Sequence, residues 1–253
     1  LFAGASYVYD SNTTQFPNGG GAHVGVFDFG FDILSGDSGG RGGFYGFEYV
    51  GQAFAYENAA QQFGRDTLEH QVGAFFGVNG GKTRLRADVD YFRNNGNALS
   101  FDGINRETRR AASNDFNFFV DASRELPHGS VEAGAGYVLR DFDTGTGLND
   151  QDSYFGDLAW FFNPGFAPKT SLGVGFRAGE DDFSRNGNQT YYTPSARARY
   201  QLSRKTSFNG SVGYEYRNVS GLGARDTEGT VFNGGISYVP TAKTGFNLSF
   251  YRR

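Results

Sequence analysis

Lys82-Thr83-Arg84-Leu85-Arg86-Ala87-Asp88-Val89-Asp90-Tyr91 decides the fold: every even position is charged and the later odd positions are apolar. A strict period of two puts successive side chains on opposite faces of a β-strand. The alternation returns at Val131, Ala133, Ala135, Tyr137 and Leu139, set against Ser130, Glu132, Gly134, Gly136 and Arg140. It recurs at Leu172, Val174 and Phe176, and at Phe208, Val212, Tyr214 and Tyr216. One face reads as aliphatic or aromatic, the other as glycine, serine or charge. No stretch has a helical period.

Counting such runs predicts about 13 strands (12–14), near 1–11, 21–34, 42–56, 66–78, 82–93, 113–125, 130–142, 152–163, 169–178, 190–202, 206–217, 228–239 and 244–252. Their connections alternate. Gly80-Gly81, Leu126-Pro127-His128-Gly129, Asn163 to Pro168, Ser203-Arg204 and Pro240-Thr241-Ala242 are short. Ser11 to Gly20, Glu57 to Arg65, Asn94 to Ala112, Asp143 to Asp152, Gly179 to Gln189 and Asn218 to Thr227 are longer and polar. Short turns on one rim and long loops on the other predict an antiparallel up-and-down transmembrane β-barrel of the bacterial outer membrane. All four lysines, Lys82, Lys169, Lys205 and Lys243, precede a threonine just after a short turn. Lys-Thr reads as a strand-opening pair near phosphate headgroups.

Composition closes off other classes. The 253 residues include 39 glycines, 27 phenylalanines and 15 tyrosines, too aromatic for a disordered or collagen-like chain. No run approaches 18 apolar residues, which excludes a helical membrane protein. With a net charge of -4 and no basic block longer than Arg109-Arg110 or Arg252-Arg253, no nucleic-acid partner is expected. The absence of cysteine removes disulfides, thiolate metal sites and cysteine nucleophiles. The opening Leu1-Phe2-Ala3-Gly4 has neither an initiator Met nor a signal-peptide pattern, so a processed or partial chain is expected.

Phe166-Ala167-Pro168-Lys169-Thr170-Ser171-Leu172-Gly173-Val174-Gly175-Phe176-Arg177, Leu202-Ser203-Arg204-Lys205-Thr206-Ser207 and Thr244-Gly245-Phe246-Asn247-Leu248-Ser249-Phe250-Tyr251-Arg252-Arg253 resemble strand openings of Gram-negative outer-membrane barrels. Among these the chain most resembles the β-barrel porin 2 group, associated with exopolysaccharide secretion. The resemblance implies contact with outer-membrane lipid and lipopolysaccharide, and with secreted polysaccharide or export machinery. It departs from the outer-membrane pattern at Arg252-Arg253, where such barrels end on Phe or Trp, and in its odd strand count. Residues 1–253 are therefore expected to form one barrel domain, incomplete at the C-terminus, within a larger even-stranded barrel.

The alternation assigns Asp28, Asp32, Glu48, Gln52, Arg84, Arg86, Asp88, Asp90, Asp115, Asp121, Glu132, Arg140, Asp157, Arg177, Arg197, Arg199, Glu215 and Arg217 to the lumen. It assigns Leu85, Val89, Tyr91, Tyr137, Leu172, Val174, Phe176, Tyr214, Tyr216 and Phe250 to lipid. The pairs Arg84/Arg86 and Arg197/Arg199 either line a path for anionic solutes or acidic glycans, or pair within the wall with Asp88, Asp90, Asp115 and Asp121. Gly179-Glu180-Asp181-Asp182 and Asp150-Gln151-Asp152 read as solvated loops, without the spacing of a calcium loop. Of His23, His70 and His128, only His70 beside Glu69 suggests chemistry, and no enzyme activity, metal or cofactor is expected. The expected function is a porin-like channel for passive diffusion or for polysaccharide or solute export. The alternative is a non-conducting structural or adhesive barrel acting through its long loops, and a soluble all-β protein with the aromatic face as its core is the third reading.

Overall fold

The alternating runs do form strands. The computed structural model describes residues 1–10, 22–37, 40–56, 68–95, 100–102, 107–109, 112–143, 148–184, 187–221, 225–241 and 244–252. The strands are β1 (Phe2–Asp10), β2 (Ala22–Ser35), β3 (Gly42–Tyr56), β4 (Leu68–Asn79), β5 (Thr83–Asn95), the short β6 (Ser100–Asp102) and β7 (Glu107–Arg109), and β8 (Ala112–Leu126). They continue as β9 (Gly129–Phe142), β10 (Gln151–Phe162), β11 (Thr170–Phe183), β12 (Gly187–Ser203), β13 (Thr206–Val219), β14 (Thr227–Thr241) and β15 (Thr244–Arg252). The described residues contain no helix.

Thirteen strands make one antiparallel sheet in chain order, each beside its sequence neighbour, while β6 and β7 pair separately between β5 and β8. β1 and β15 each pair on one side, so the sheet is open. Tight turns fix the register at one rim. After β4, Asn79 Oδ1 accepts from Gly81 N at 3.0 Å and Thr83 O from Gly80 N at 2.8 Å. Gly81 has φ +85°, which a side chain would resist.

Two expectations need correction. The stretch Gly179 to Gln189 is not one long loop: β11 runs to Phe183, with Asp181 opposite Ser153 and Gln189 in the two neighbouring strands. The ladder hydrogen bonds, together with partners for the carboxylates, outweigh the polar composition of Gly179-Glu180-Asp181-Asp182. Asn94 to Ala112 likewise contributes the ends of β5 and β8 and the antiparallel pair β6 and β7. One irregularity was not foreseen. Pro194 lies inside β12, where it has no N–H to donate, and the pairing with β13 skips from Tyr192 to Ser195.

The registers put every charged residue assigned to the lumen on one face, for example Arg86 opposite Asp121 and Asp157 opposite Arg177. They put Leu85, Val89, Tyr91, Tyr137, Leu172, Val174, Phe176, Tyr214, Tyr216 and Phe250 on the other. No second layer covers that apolar face among the described residues. Val174 is 60% exposed, Phe246 61% and Leu248 62%.

Candidate functional site

The charged face is a web of ion pairs that cross strands. Arg140 grips Asp115 with both nitrogens at 2.9 and 2.8 Å across the β8–β9 ladder. Arg197 holds Asp157 in the same two-pronged way at 2.9 and 2.5 Å, reaching from β12 to β10. Arg199 reaches Glu132 at 2.5 and 2.6 Å over two intervening strands. Arg217 meets Asp181 at 3.0 Å and Glu215 at 3.1 Å. Arg86 holds Asp88 at 2.5 Å on its own strand, and Gln52 donates to Asp28 at 2.7 Å. Three of the four arginines in the two pairs are therefore neutralised in the wall. The partners of Arg197 and Arg199 are Asp157 and Glu132, rather than the aspartates nearer in sequence to the first pair.

Arg177 differs. It faces Asp157 in register, but Asp157 is held by Arg197. Its Nε is buried without a hydrogen bond, and its guanidinium lies 3.9 Å over the Phe155 ring. Among the described residues neither Arg177 nor Arg84 has a carboxylate partner. Arg177 borders a hollow of about 740 Å³ on the charged face of β10–β15, beside Arg197, Arg199, Ser211, Asn233 and Tyr251. Guanidinium forks and amide or hydroxyl groups in a wet trough suit carboxylates and sugar hydroxyls.

The sequence reading missed that this face also carries aromatic rings. Phe44, Phe75, Phe119, Phe155, Phe161 and Tyr191 stand there, with Phe44 fully buried and Phe161 nearly so. Adjacent aromatics gave the signal. In Phe44-Tyr45, Phe75-Phe76, Phe118-Phe119, Tyr154-Phe155, Phe161-Phe162 and Tyr191-Tyr192, a period of two must send one ring to each face. The inward rings lie on glycines of neighbouring strands. A Cβ on Gly136 would fall 2.5 Å from the Phe155 ring and 2.7 Å from Phe119, and one on Gly173 would fall 2.7 Å from Phe161. Arginines then stack on the rings: Arg199 on Phe161 at 3.9 Å, Arg86 on Phe75 and Arg217 on Tyr191, both at 4.8 Å. Such contacts attract the guanidinium charge to the ring faces and tie the arginines to the wall.

The remaining candidates are dispersed. Glu69 is buried on the charged face and accepts from Asn95 N at 3.1 Å. His70 points the other way and shares a 2.8 Å hydrogen bond with Tyr49 Oη, so the adjacent pair cannot cooperate at one site. His128 lies in a turn, where its carbonyl accepts from Asn163 N at 2.9 Å. Glu180 takes Tyr154 Oη and Asn188 Nδ2 on the apolar face, while Asp181 serves Arg217 on the charged one. Asp150 accepts from Phe142 N at 2.9 Å. Among the described residues no three His, Asp or Glu side chains stand together as a metal site. Beyond the strand ends, the Arg93 hydrogen bond holds the Asp143 carboxyl below the usual carboxylate range. No protein-family model matches the chain, and no curated protein matches it.

Proposed function

We propose that the chain forms the wall of an outer-membrane β-barrel whose charged face lines an aqueous channel, for passive diffusion or for export of a polysaccharide or other solute. The observation that carries this reading is the mismatch between the two faces. Large apolar side chains stand exposed along the sheet with nothing packed on them, while the charges share the sheltered face with a hollow. Burying a side chain such as Leu248 is worth about 1.5–3 kcal/mol, so in water this face would expose many such groups at once. A hydrocarbon surround removes the cost, and strands of 12–17 residues from β4 to β14, apart from β6 and β7, exceed the 9–11 that a tilted strand needs to cross. Open sheet edges are not tolerated in hydrocarbon, so the reading requires β1 and β15 to be paired there.

Small residues on the charged face, with Ser195, Ser211 and Gly213 at the hollow, favour conduction over a filled interior. The non-conducting barrel draws its support from the rings and stacked arginines that thicken the wall. Single-channel recording after reconstitution decides between them. Discrete conductance steps are expected, and a protein that inserts, shows heat-modifiable gel mobility and passes no current would establish the structural barrel instead. A chain that stays soluble and monomeric without detergent would overturn both.

A further inference from the structure

We propose that the turn at residues 163–169, between β10 and β11, is a docking site for an acidic segment of a protein partner, with Phe166 as the apolar anchor. The inference rests on the membrane reading above for the side of the membrane on which that partner lies. Phe166 is 92% exposed. It is held there rather than left loose. Pro164 O accepts from Ala167 N and Ala167 O from Thr170 N, both at 2.9 Å, which makes two successive reverse turns, the second with Pro168 at its first inner position. Asn163 N donates to His128 O of the preceding turn at 2.9 Å, Asn163 Oδ1 accepts from Ser171 Oγ at 2.7 Å, and Pro164 is buried. A ring presented on so fixed a base loses little freedom when a partner covers it, which is the property of an interface anchor.

The surroundings of the ring carry one sign of charge. Residues 161–173, 199–209 and 235–247 make this rim from β10 to β15 and contain Lys169, Arg199, Arg204, Lys205 and Lys243 but no aspartate or glutamate. Arg199 is spent on Glu132, and Lys243 lies outside the described residues. Lys169, Arg204 and Lys205 are exposed, and among the described residues none of the three has a carboxylate partner. Lys169 Nζ donates to Leu202 O at 3.1 Å and Lys205 Nζ to Pro240 O at 2.6 Å, so each ammonium braces the next turn along the rim and keeps its charge.

The ladder runs on through the turns and fixes the side on which these lysines stand. Gln201 N donates to Lys169 O and Val239 N to Lys205 O, both at 2.8 Å, which puts Lys169 in phase with Ser171 and Lys205 with Ser207 on the charged face. The cations therefore belong to the aqueous side of the rim, where complementary charge steers and orients a water-borne acidic partner. An anionic polymer would satisfy the cations and leave the ring uncovered. A protein segment that carries carboxylates together with an apolar side chain satisfies both. The short-turn rim of an outer-membrane barrel faces the periplasm, so the partner is a periplasmic protein.

The full chain is reconstituted in phosphatidylcholine nanodiscs, which carry no net charge and leave both rims open, and titrated into fluorescein-labelled peptides while anisotropy is followed. One probe is Asp-Glu-Leu-Asp-Glu-Leu-Asp-Glu; the other has Ser in place of each Leu. The leucine peptide should bind about tenfold more tightly, the step that covering one anchor side chain supplies. Phe166→Ala should remove that preference and Phe166→Tyr should keep most of it. The Lys169→Gln/Arg204→Gln/Lys205→Gln variant should bind both peptides about tenfold more weakly, as should the unaltered protein in about 1 M salt. Should the triple variant fail to insert, the Phe166 variants and the salt series decide by themselves. Equal binding of the two peptides, or a preference that Phe166→Ala leaves unchanged, overturns the docking site. So does polygalacturonate binding as tightly as the leucine peptide, which would make the rim a general polyanion surface, and so does quenching of a Phe166→Trp/Trp160→Phe protein by brominated acyl chains, which would put residue 166 in lipid. A chain that stays soluble without detergent and still prefers the leucine peptide through Phe166 overturns the membrane reading alone.

Discussion

Replacing Arg177 by Gln should reduce the anion preference of the proposed channel about threefold without unfolding the sheet. The neighbouring arginines Arg197, Arg199 and Arg217 each hold a carboxylate, so their fields largely cancel at the distance of a passing ion. Arg177 has no such partner and stands at the hollow. A unit charge about 7 Å from an ion in water contributes about 0.6 kcal/mol, of which about 0.3 kcal/mol survives screening at 0.1 M salt. It attracts the anion and repels the cation, so the ratio of permeabilities responds to twice that energy, about threefold. Loss of the Phe155 stack costs about 0.5–2 kcal/mol, which a protein of ordinary stability tolerates. Reversal potentials in a salt gradient measure the ratio. The double variant Arg197→Gln/Asp157→Asn, which removes a pair with no net charge, should leave it unchanged. If Arg177→Gln and the double variant give the same ratio as the parent while current persists, Arg177 does not face the conduction path.

Three further outcomes are expected. Phe176→Arg, at the middle of β11 on the apolar face, should destabilise the bilayer-inserted protein by about 2–4 kcal/mol in denaturant titration, whereas Ser211→Arg on the charged face should cost much less. Gly136→Val should cost about 1–3 kcal/mol, because the new side chain must displace the Phe119 and Phe155 rings; an unchanged unfolding midpoint would mean that the rings do not rest on that strand. Because the Asp143 pKa is lowered on folding, its bond to Arg93 contributes stability that is complete above the ordinary carboxylate pKa of about 4 and is lost as pH falls through the lowered value. Asp143→Asn should flatten that part of the stability–pH curve, by a small amount because the carboxylate is 45% exposed.

Strand positions were legible because a period of two is imposed by the backbone itself, whatever surrounds it. The division into two faces was legible for the same reason, since one register decision fixes every side chain of a strand. The polar end of β11 was hidden because composition describes solvation while the ladder depends on neighbours. Asp181 is kept in the strand by Arg217, 36 residues away in sequence. The pairing of Arg199 with Glu132 was hidden more deeply, as it depends on long side chains reaching over β10 and β11.

Glycine shows what a composition count conceals. Only Gly36, Gly42, Gly81, Gly187 and Gly221 among the described residues have positive φ, so most of this glycine content has no connection with turn chemistry. Gly136 and Gly173 sit in extended strands, where their missing Cβ provides the bed on which a ring from the next strand lies. The adjacent aromatics and the glycines are therefore one device: the period of two turns a ring inward, a glycine makes room for it, and an arginine packs on the ring, as Arg177 does on Phe155 and Arg199 on Phe161. A glycine-rich, aromatic-rich sequence can thus build a smooth charged wall from a single sheet. Filling one bed, as Gly173→Leu would at Phe161, should also dislodge the Arg199–Glu132 pair, two strands from the substitution on the Glu132 side. In a double-mutant cycle, Glu132→Gln should then cost less in the Gly173→Leu background than alone; equal costs would show that the ring bed and the ion pair are independent.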